Sequence, residues 1–241
     1  MKIFLAGAGG AIGRKLTPLL RAVGHTVVGT TRSADKADAV RALGAEPVVV
    51  DVFDAEALVR AVSAAAPQAI IHQLTDLAFA PGTPQYDEGL TRNARLRTEG
   101  TRNLVAAARA ANVKRMVAQS VAFAYAPAGG TRIESDALNV GADGIAGRSA
   151  EAVATLEQAV LGLPEGIVLR FGYFYGPGTW YDTPSRVPSI HIEAAARATM
   201  QAVTKGKPGI YNIAEDGPAV SSEKAKQDFG FDPQSRIRMR S

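Results

Sequence analysis

The chain has 241 residues, a net charge of +4 and no cysteine, so it has room for one large α/β domain with a small appendage and excludes thiolate catalysis, disulfides and Cys-based zinc sites. Its hydrophobic fraction of 46% and mean hydropathy of +0.01 describe a soluble globular protein, and no apolar run approaches the roughly 20 residues of a membrane span. The basic residues are scattered rather than interleaved with aromatics, which argues against nucleic acid, and the N-terminus lacks a signal peptide, so the cytoplasm of a bacterium is the expected location.

A strand over 2–6 leads into Gly7-Ala8-Gly9-Gly10-Ala11-Ile12-Gly13 and then a helix over 11–23, with Leu16, Leu19, Leu20 and Val23 at helical spacing. Glycines between a strand and a helix let backbone amides approach a pyrophosphate at the helix N-terminus. Gly7, Gly9, Gly10, Ala11, Ile12 and Gly13 are therefore the first candidate cofactor residues, and the ligand is a dinucleotide. A second strand over 26–30 completes a βαβ unit. It ends in Thr30-Thr31-Arg32-Ser33, with no acid where an NAD site places one for the ribose 2′-hydroxyl. A guanidinium matches a 2′-phosphate in charge and geometry, so Thr31 and Arg32 point to NADP, with NAD the alternative.

Helices over 34–43 and 54–65 alternate with strands over 47–50 and 69–73. Ser33 and Asp54 stand at helix-cap positions, and Gly24 and Gly44 where helices stop. Asp51 and Val52 follow the third strand; Asp51 reads equally as an adenine contact or as a cap before the helix at 54. The segment Thr75 to Leu90, with Pro81, Gly82 and Pro84, has no periodicity. It lies at the carboxyl edge of the sheet and reads either as a lid or as an idle surface loop. A helix over 92–111 carries Arg92, Arg95, Arg97 and Arg102 on a solvated face, with Arg95 and Glu99 spaced to pair.

A strand over 115–119, a helix over 149–161 and a strand over 166–170 come next. After an irregular stretch beyond Gly176, a helix near 192–204, a strand near 209–213 and a helix near 222–229 close the chain. The alternation predicts a doubly wound Rossmann fold with a central parallel sheet in the order 3-2-1-4-5-6. Residues 1–172 are expected to form the dinucleotide-binding domain, with 173–241 a small, reduced substrate region packed on it. His72 reads as a structural hydrogen-bonder, and the histidines and acids show no metal-ligand spacing, so no metal is expected.

Five segments stand in an order that resembles the extended short-chain dehydrogenase/reductases, the NAD-dependent epimerase/dehydratase family. They are Gly7 to Gly13, Ile70-Ile71-His72-Gln73-Leu74-Thr75, Glu99-Gly100-Thr101-Arg102-Asn103-Leu104, Val117-Ala118-Gln119-Ser120 and Leu169 through Gly178. With Tyr211 to Ile213, Ser222 to Ala225 and Phe229 to Pro233, the resemblance covers nearly the whole chain. It implies that Gln73, Leu74 and Thr75 lie beside the cofactor and that Ser120 is a catalytic hydroxyl. It also implies a homodimer formed by the helices over 92–111 and 149–161.

The family's proton chemistry rests on a Tyr-x-x-x-Lys pair, and here no Tyr is followed four residues later by Lys. The matching region offers only Arg148 and Ser149, and Arg97 stands where the family commonly has Asn. Ser120, Tyr173 and Tyr175 are left as the catalytic candidates, the two tyrosines sharing a face if they lie in a strand. The chain is also short between Gly178 and His191 and between Asn212 and Ser222, which means either a reduced small domain or loops absent from the sequence. Three functions fit. The first is an NADP-dependent oxidoreductase acting on a small carbonyl or sugar-nucleotide-like substrate. The second is a non-catalytic NADP-binding redox sensor or regulator. An epimerase or dehydratase is the third, and it leans hardest on the missing Tyr.

Overall fold

The computed structural model describes residues 1–77, 79 and 81–237. Six strands alternate with helices in the expected way: β1 (Lys2–Ala6), β2 (Thr26–Thr31), β3 (Glu46–Val49), β4 (Ala69–His72), β5 (Arg115–Val121) and β6 (Glu165–Phe171). Two short strands, β7 (Tyr173–Tyr175) and β8 (Ser189–His191), pair with each other in a small second sheet. A last strand, β9 (Gly209–Ile213), returns to the main sheet beside β6. The seven-stranded sheet runs β3-β2-β1-β4-β5-β6-β9, parallel at every pairing. The predicted order is present and is extended by one strand from the C-terminal part.

Helices cover both faces, as a parallel sheet requires. On one face α1 (Ala11–Ala22), α2 (Ala37–Ala42), α7 (Ile192–Thr204) and α8 (Glu223–Phe229) pack on Ile3, Leu5, Ile71, Val117 and Leu169. On the other, α3 (Ala55–Ala65), α5 (Thr101–Ala110) and α6 (Gly144–Leu161) pack on Phe4, Ile70, Met116, Ala118 and Val168. Leu16 and Leu20 of α1 share a core with Ala194, Ala198 and Ala202 of α7, and Lys15 pairs with Glu193 at 3.7 Å. Asp54 caps α3 by accepting from the Ala57 amide at 2.9 Å.

The stretch expected to be irregular holds a helix, α4 (Pro84–Arg95). Thr83 accepts from the Tyr86 amide at 3.2 Å, and Pro84 sits in the first turn, where its missing N–H costs nothing. α4 then runs through a wider π-turn over Leu96–Gly100 into α5. Ala78 and Ala80 of that stretch lie outside the described residues. α6 likewise starts earlier than expected, at Gly144. The exposed residues of α5 and α6 are mixed: Arg102, Arg109, Glu151 and Gln158 are polar, while Ile145 and Leu161 are apolar. Among the described residues no helix is long and apolar enough to cross a membrane.

Candidate functional site

The carboxyl ends of the parallel strands open onto a cleft of about 910 Å³. Its floor is the turn between β1 and α1. Gly7 has φ +98°, and a Cβ there would lie 2.8 Å from the Gln73 carbonyl oxygen, so only glycine fits. A Cβ on Gly13 would lie 2.2 Å from the Gly7 oxygen and 2.5 Å from that of Ala8, so the helix can approach the turn this closely only without a side chain. The turn is fixed by the Gly7 amide donating to Thr30 Oγ1 at 3.2 Å and the Gly10 amide donating to the Gly7 carbonyl at 3.0 Å. Gly10 is the N-cap of α1, with no side-chain cap and no acid in the first turn, and a Cβ on Gly9 would meet nothing within 4 Å. The helix dipole and the uncapped amides therefore favour an anion here.

One end of the cleft is cationic. Arg32 and Lys36 line it, both exposed and without an ion-pair partner among the described residues. Thr31 donates its hydroxyl to the Ser33 carbonyl at 3.2 Å, and Ser33 donates its own to Asp35. Val40, Leu43, Val52 and Leu58 form an apolar slot nearby. Where β4 ends, the Gln73 side-chain amide is buried with neither Nε2 nor Oε1 bonded. Orphaned polar atoms of this kind, beside an open cleft, fit a polar ligand.

The other end is aromatic. Phe123 and Tyr173 stack at 4.0 Å with planes 7° apart, and Tyr86 meets Trp180 edge-on at 5.7 Å. Arg186 lies over the Tyr173 ring at 5.4 Å. Arg97 comes from the π-turn and donates to Ser149 Oγ at 2.9 Å. His72, buried below, accepts from the Leu74 amide at Nδ1, 3.3 Å, so its Nε2 carries the proton and meets Thr101 Oγ1 at 3.0 Å. Burial and the Arg97 charge hold its pKa down at about 4, which makes it a neutral strut rather than an acid or base. No group of His, Asp or Glu among the described residues is placed to hold a metal.

A sequence profile of the family described as NAD(P)H-binding matches residues 7–159. The chain belongs to the NAD(P)H-binding family. It is 41% identical, over 92% of its own length and 79% of the relative's, to a 3-diazoavenalumate denitrifying reductase of Streptomyces. Its fold is that of a UDP-glucose 4-epimerase from Thermotoga maritima solved with UDP-glucose (TM-score 0.76, 16% identity, 98% of this chain and 94% of that one). The same holds for a dTDP-glucose 4,6-dehydratase from Streptomyces venezuelae solved with NAD (TM-score 0.76, 17% identity, 98% and 93%).

In this NAD(P)H-binding chain the cleft brings together Gly7, Gly9, Gly10, Ala11, Ile12, Thr31, Arg32, Val52, Gln73, Leu74, Thr75 and Tyr173. Four expected site residues are not among its lining. Gly13 supports the turn from behind. Asp51 accepts from the Phe53 amide at 2.9 Å and serves the turn before α3. Ser120 lies on the opposite face of β5: the strand turns Gln119 and Val121 to the cleft, while the buried Ser120 hydroxyl donates to Glu157 Oε1 at 2.7 Å. Tyr175 bonds Glu215 and takes an Arg236 contact at 3.4 Å, so the two tyrosines of β7 serve different surroundings. Tyr125, likewise, donates to Asn212 Oδ1 at 2.7 Å. Sequence reasoning missed Tyr86, because the first part of α4, Pro84 to Leu90, was read as irregular, and took Arg97 for a solvated charge. The one signal was Arg97 standing at a position where the family carries Asn.

Proposed function

We propose that the chain is an NADPH-dependent reductase whose substrate is an aromatic electrophile reduced by hydride without a proton from the protein. The observation that carries this reading is the turn of β5, which presents Gln119 and Val121 to the cleft and buries Ser120 against Glu157. With the Tyr-x-x-x-Lys pair absent as well, the usual proton-transfer set is not assembled. The glycine turn, Gln73 and the Arg32–Lys36 end are the residues to hold the cofactor, and the two unpaired cations favour the 2′-phosphate of NADP over NAD. When bound, NADPH supplies a hydride.

The name of the Streptomyces relative supplies a diazo-bearing substrate, and the aromatic end of the cleft favours an aryl one. An arenediazonium ion that accepts a hydride forms a C–H bond as its C–N bond breaks, and dinitrogen leaves; the charges cancel and no proton is consumed. This chain's own part is then to bind, orient and dry the ring between Phe123, Tyr173, Tyr86 and Trp180. Residues 173–241 supply Tyr173, Trp180 and Arg186 to this end, and in this reading they act as the substrate region. Carbonyl reduction is the second reading, favoured by the Tyr173 phenol in the cleft.

The test follows NADPH oxidation with an arenediazonium salt, and separately with aldehydes and ketones, against heat-inactivated protein. Deuterium from NADPH labelled at C4 should appear on the arene carbon as dinitrogen is released. Turnover of ketones but not of the diazonium salt would establish the second reading. Tight NADPH binding with no turnover across both panels would make the chain a sensor. A homodimer through α5 and α6 belongs to the same proposal. Since Arg102, Arg109 and Glu151 stand on those faces, it should weaken with salt in sedimentation runs, and a monomer at low salt would remove it.

A further inference from the structure

At the aromatic end of the cleft sits a cation that the chain itself leaves unmatched. Arg97 makes one hydrogen bond, to the neutral Ser149 hydroxyl, and has no carboxylate within ion-pair distance among the described residues. Glu157, the one acid that acts on it through space, is already clasped by Arg170 at 2.6 and 2.8 Å and by Ser120. Burial lowers the Arg97 pKa to about 10, which leaves it charged at neutral pH. Arg97 is only partly exposed, at the wall of the cleft, and a partly buried charge without an acid partner is costly unless a ligand completes it. A second guanidinium, Arg186, faces the same space from the loop before β8, with no acid partner among the described residues. The Tyr86 phenol lies within the field of both; its burial raises its pKa while the two cations pull the other way. Around them Phe123 (40% exposed) and Trp180 (41% exposed) line the cleft, each against one ring of the chain and with the rest of its surface open.

We propose that Arg97 and Arg186 form an anion subsite that takes the carboxylate of a planar aromatic acid, whose ring lies between the Phe123–Tyr173 stack and the Tyr86–Trp180 pair. The subsite rests on the reductase reading for its place beside the hydride donor, and it adds what that reading lacks, the residues that select the substrate's charge. Arg97 gives the fixed, partly buried contact, held in place by Ser149. Arg186, exposed on its loop, gives a weaker, screened one. A neutral analogue of the same shape leaves Arg97 unmatched and is rejected on that account.

The experiment is calorimetric titration of 4-hydroxycinnamate, and of its neutral amide, into protein saturated with NADP⁺, alongside titration of NADP⁺ alone. The acid is expected to bind at least about 10-fold more tightly than the amide. Arg97→Met should abolish that preference while holding the NADP⁺ affinity within about threefold, and Arg186→Met should reduce the preference by a smaller factor. Equal binding of acid and amide overturns the proposal. So does an equal loss of NADP⁺ and acid in Arg97→Met, which would assign Arg97 to the cofactor. If Arg97→Met does not fold, the surface variant Arg186→Met decides, since an undiminished preference there removes Arg186 from the subsite. Failure of the wild-type protein to bind NADP⁺ would sink the reductase reading alone, because the acid–amide comparison in unloaded protein still judges the subsite.

Discussion

Replacing Ser120 by Ala separates a structural hydroxyl from a catalytic one. Ser120 is 1% exposed, and its hydroxyl reaches Glu157 Oε1 at 2.7 Å. The same oxygen accepts from Arg170 Nε at 2.8 Å, and Arg170 Nη2 holds Oε2 at 2.6 Å. A hydrogen bond to a charged group contributes roughly 1.5–3 kcal/mol, and Glu157 keeps Arg170, so the loss in Ser120→Ala belongs at the low end, about 1–2 kcal/mol. For a chain of this size that lowers the melting temperature by roughly 3–6 °C. Glu157→Gln should cost more, roughly 3–5 kcal/mol, because it strands a buried guanidinium. Thermal melts and steady-state kinetics on the two variants and their double mutant make the assay. Ser120→Ala is expected to keep kcat/KM within about threefold while it melts earlier, and the double mutant should show strong coupling. A kcat loss of about 100-fold with an unchanged melting temperature would refute the reasoning and restore Ser120 as a catalytic group.

Arg32→Ala should weaken NADPH binding by about 10-fold or more and leave NADH nearly unchanged, and Arg32→Asp should reverse the preference; fluorescence titration of both cofactors checks it. Gly13→Ala forces a methyl to 2.2 Å from the Gly7 oxygen, so the turn must move, and both cofactors should lose affinity together while the melting temperature falls. His72 titrates near 4 in the fold against an ordinary 6.5, so the unfolded chain takes up the proton first. Its contribution is whole above pH 6.5 and lost as pH falls toward 4, roughly 2 kcal/mol of it by pH 5. Urea unfolding at pH 7 and 5 should show a flatter pH dependence in His72→Asn than in the wild-type chain.

The sheet order was legible because the apolar runs, glycine stops and caps agreed from Lys2 to Phe171. The glycine turn was legible because its spacing answers a local steric demand that needs no distant partner. Ser120 was misplaced for a reason of parity. On β5, Met116 and Ala118 share its face and lie under α6, whereas Val117 lies on the other. The ion pair that claims its hydroxyl joins Glu157 of α6 to Arg170 of β6, and periodicity along one segment cannot foresee a meeting across three. The start of α4 was missed because Pro81, Gly82 and Pro84 look like loop residues, while Thr83 and Pro84 in sequence are also a helix start. That single misreading removed Tyr86 from the candidate site.

The contact between α1 and α7 has a consequence for how this protein can be divided. The family profile ends at residue 159 and includes the whole glycine turn. Yet the outer wall of α1 is Ala194, Ala198 and Ala202, which lie well beyond that point. A chain cut after Leu161 would keep every glycine of the turn and leave Leu16 and Leu20 facing water, with β5 as a bare sheet edge. The nucleotide end of the molecule is thus finished only when its C-terminal quarter arrives, and transplanting residues 7–159 alone into another protein would carry the motif without the support that holds it in shape.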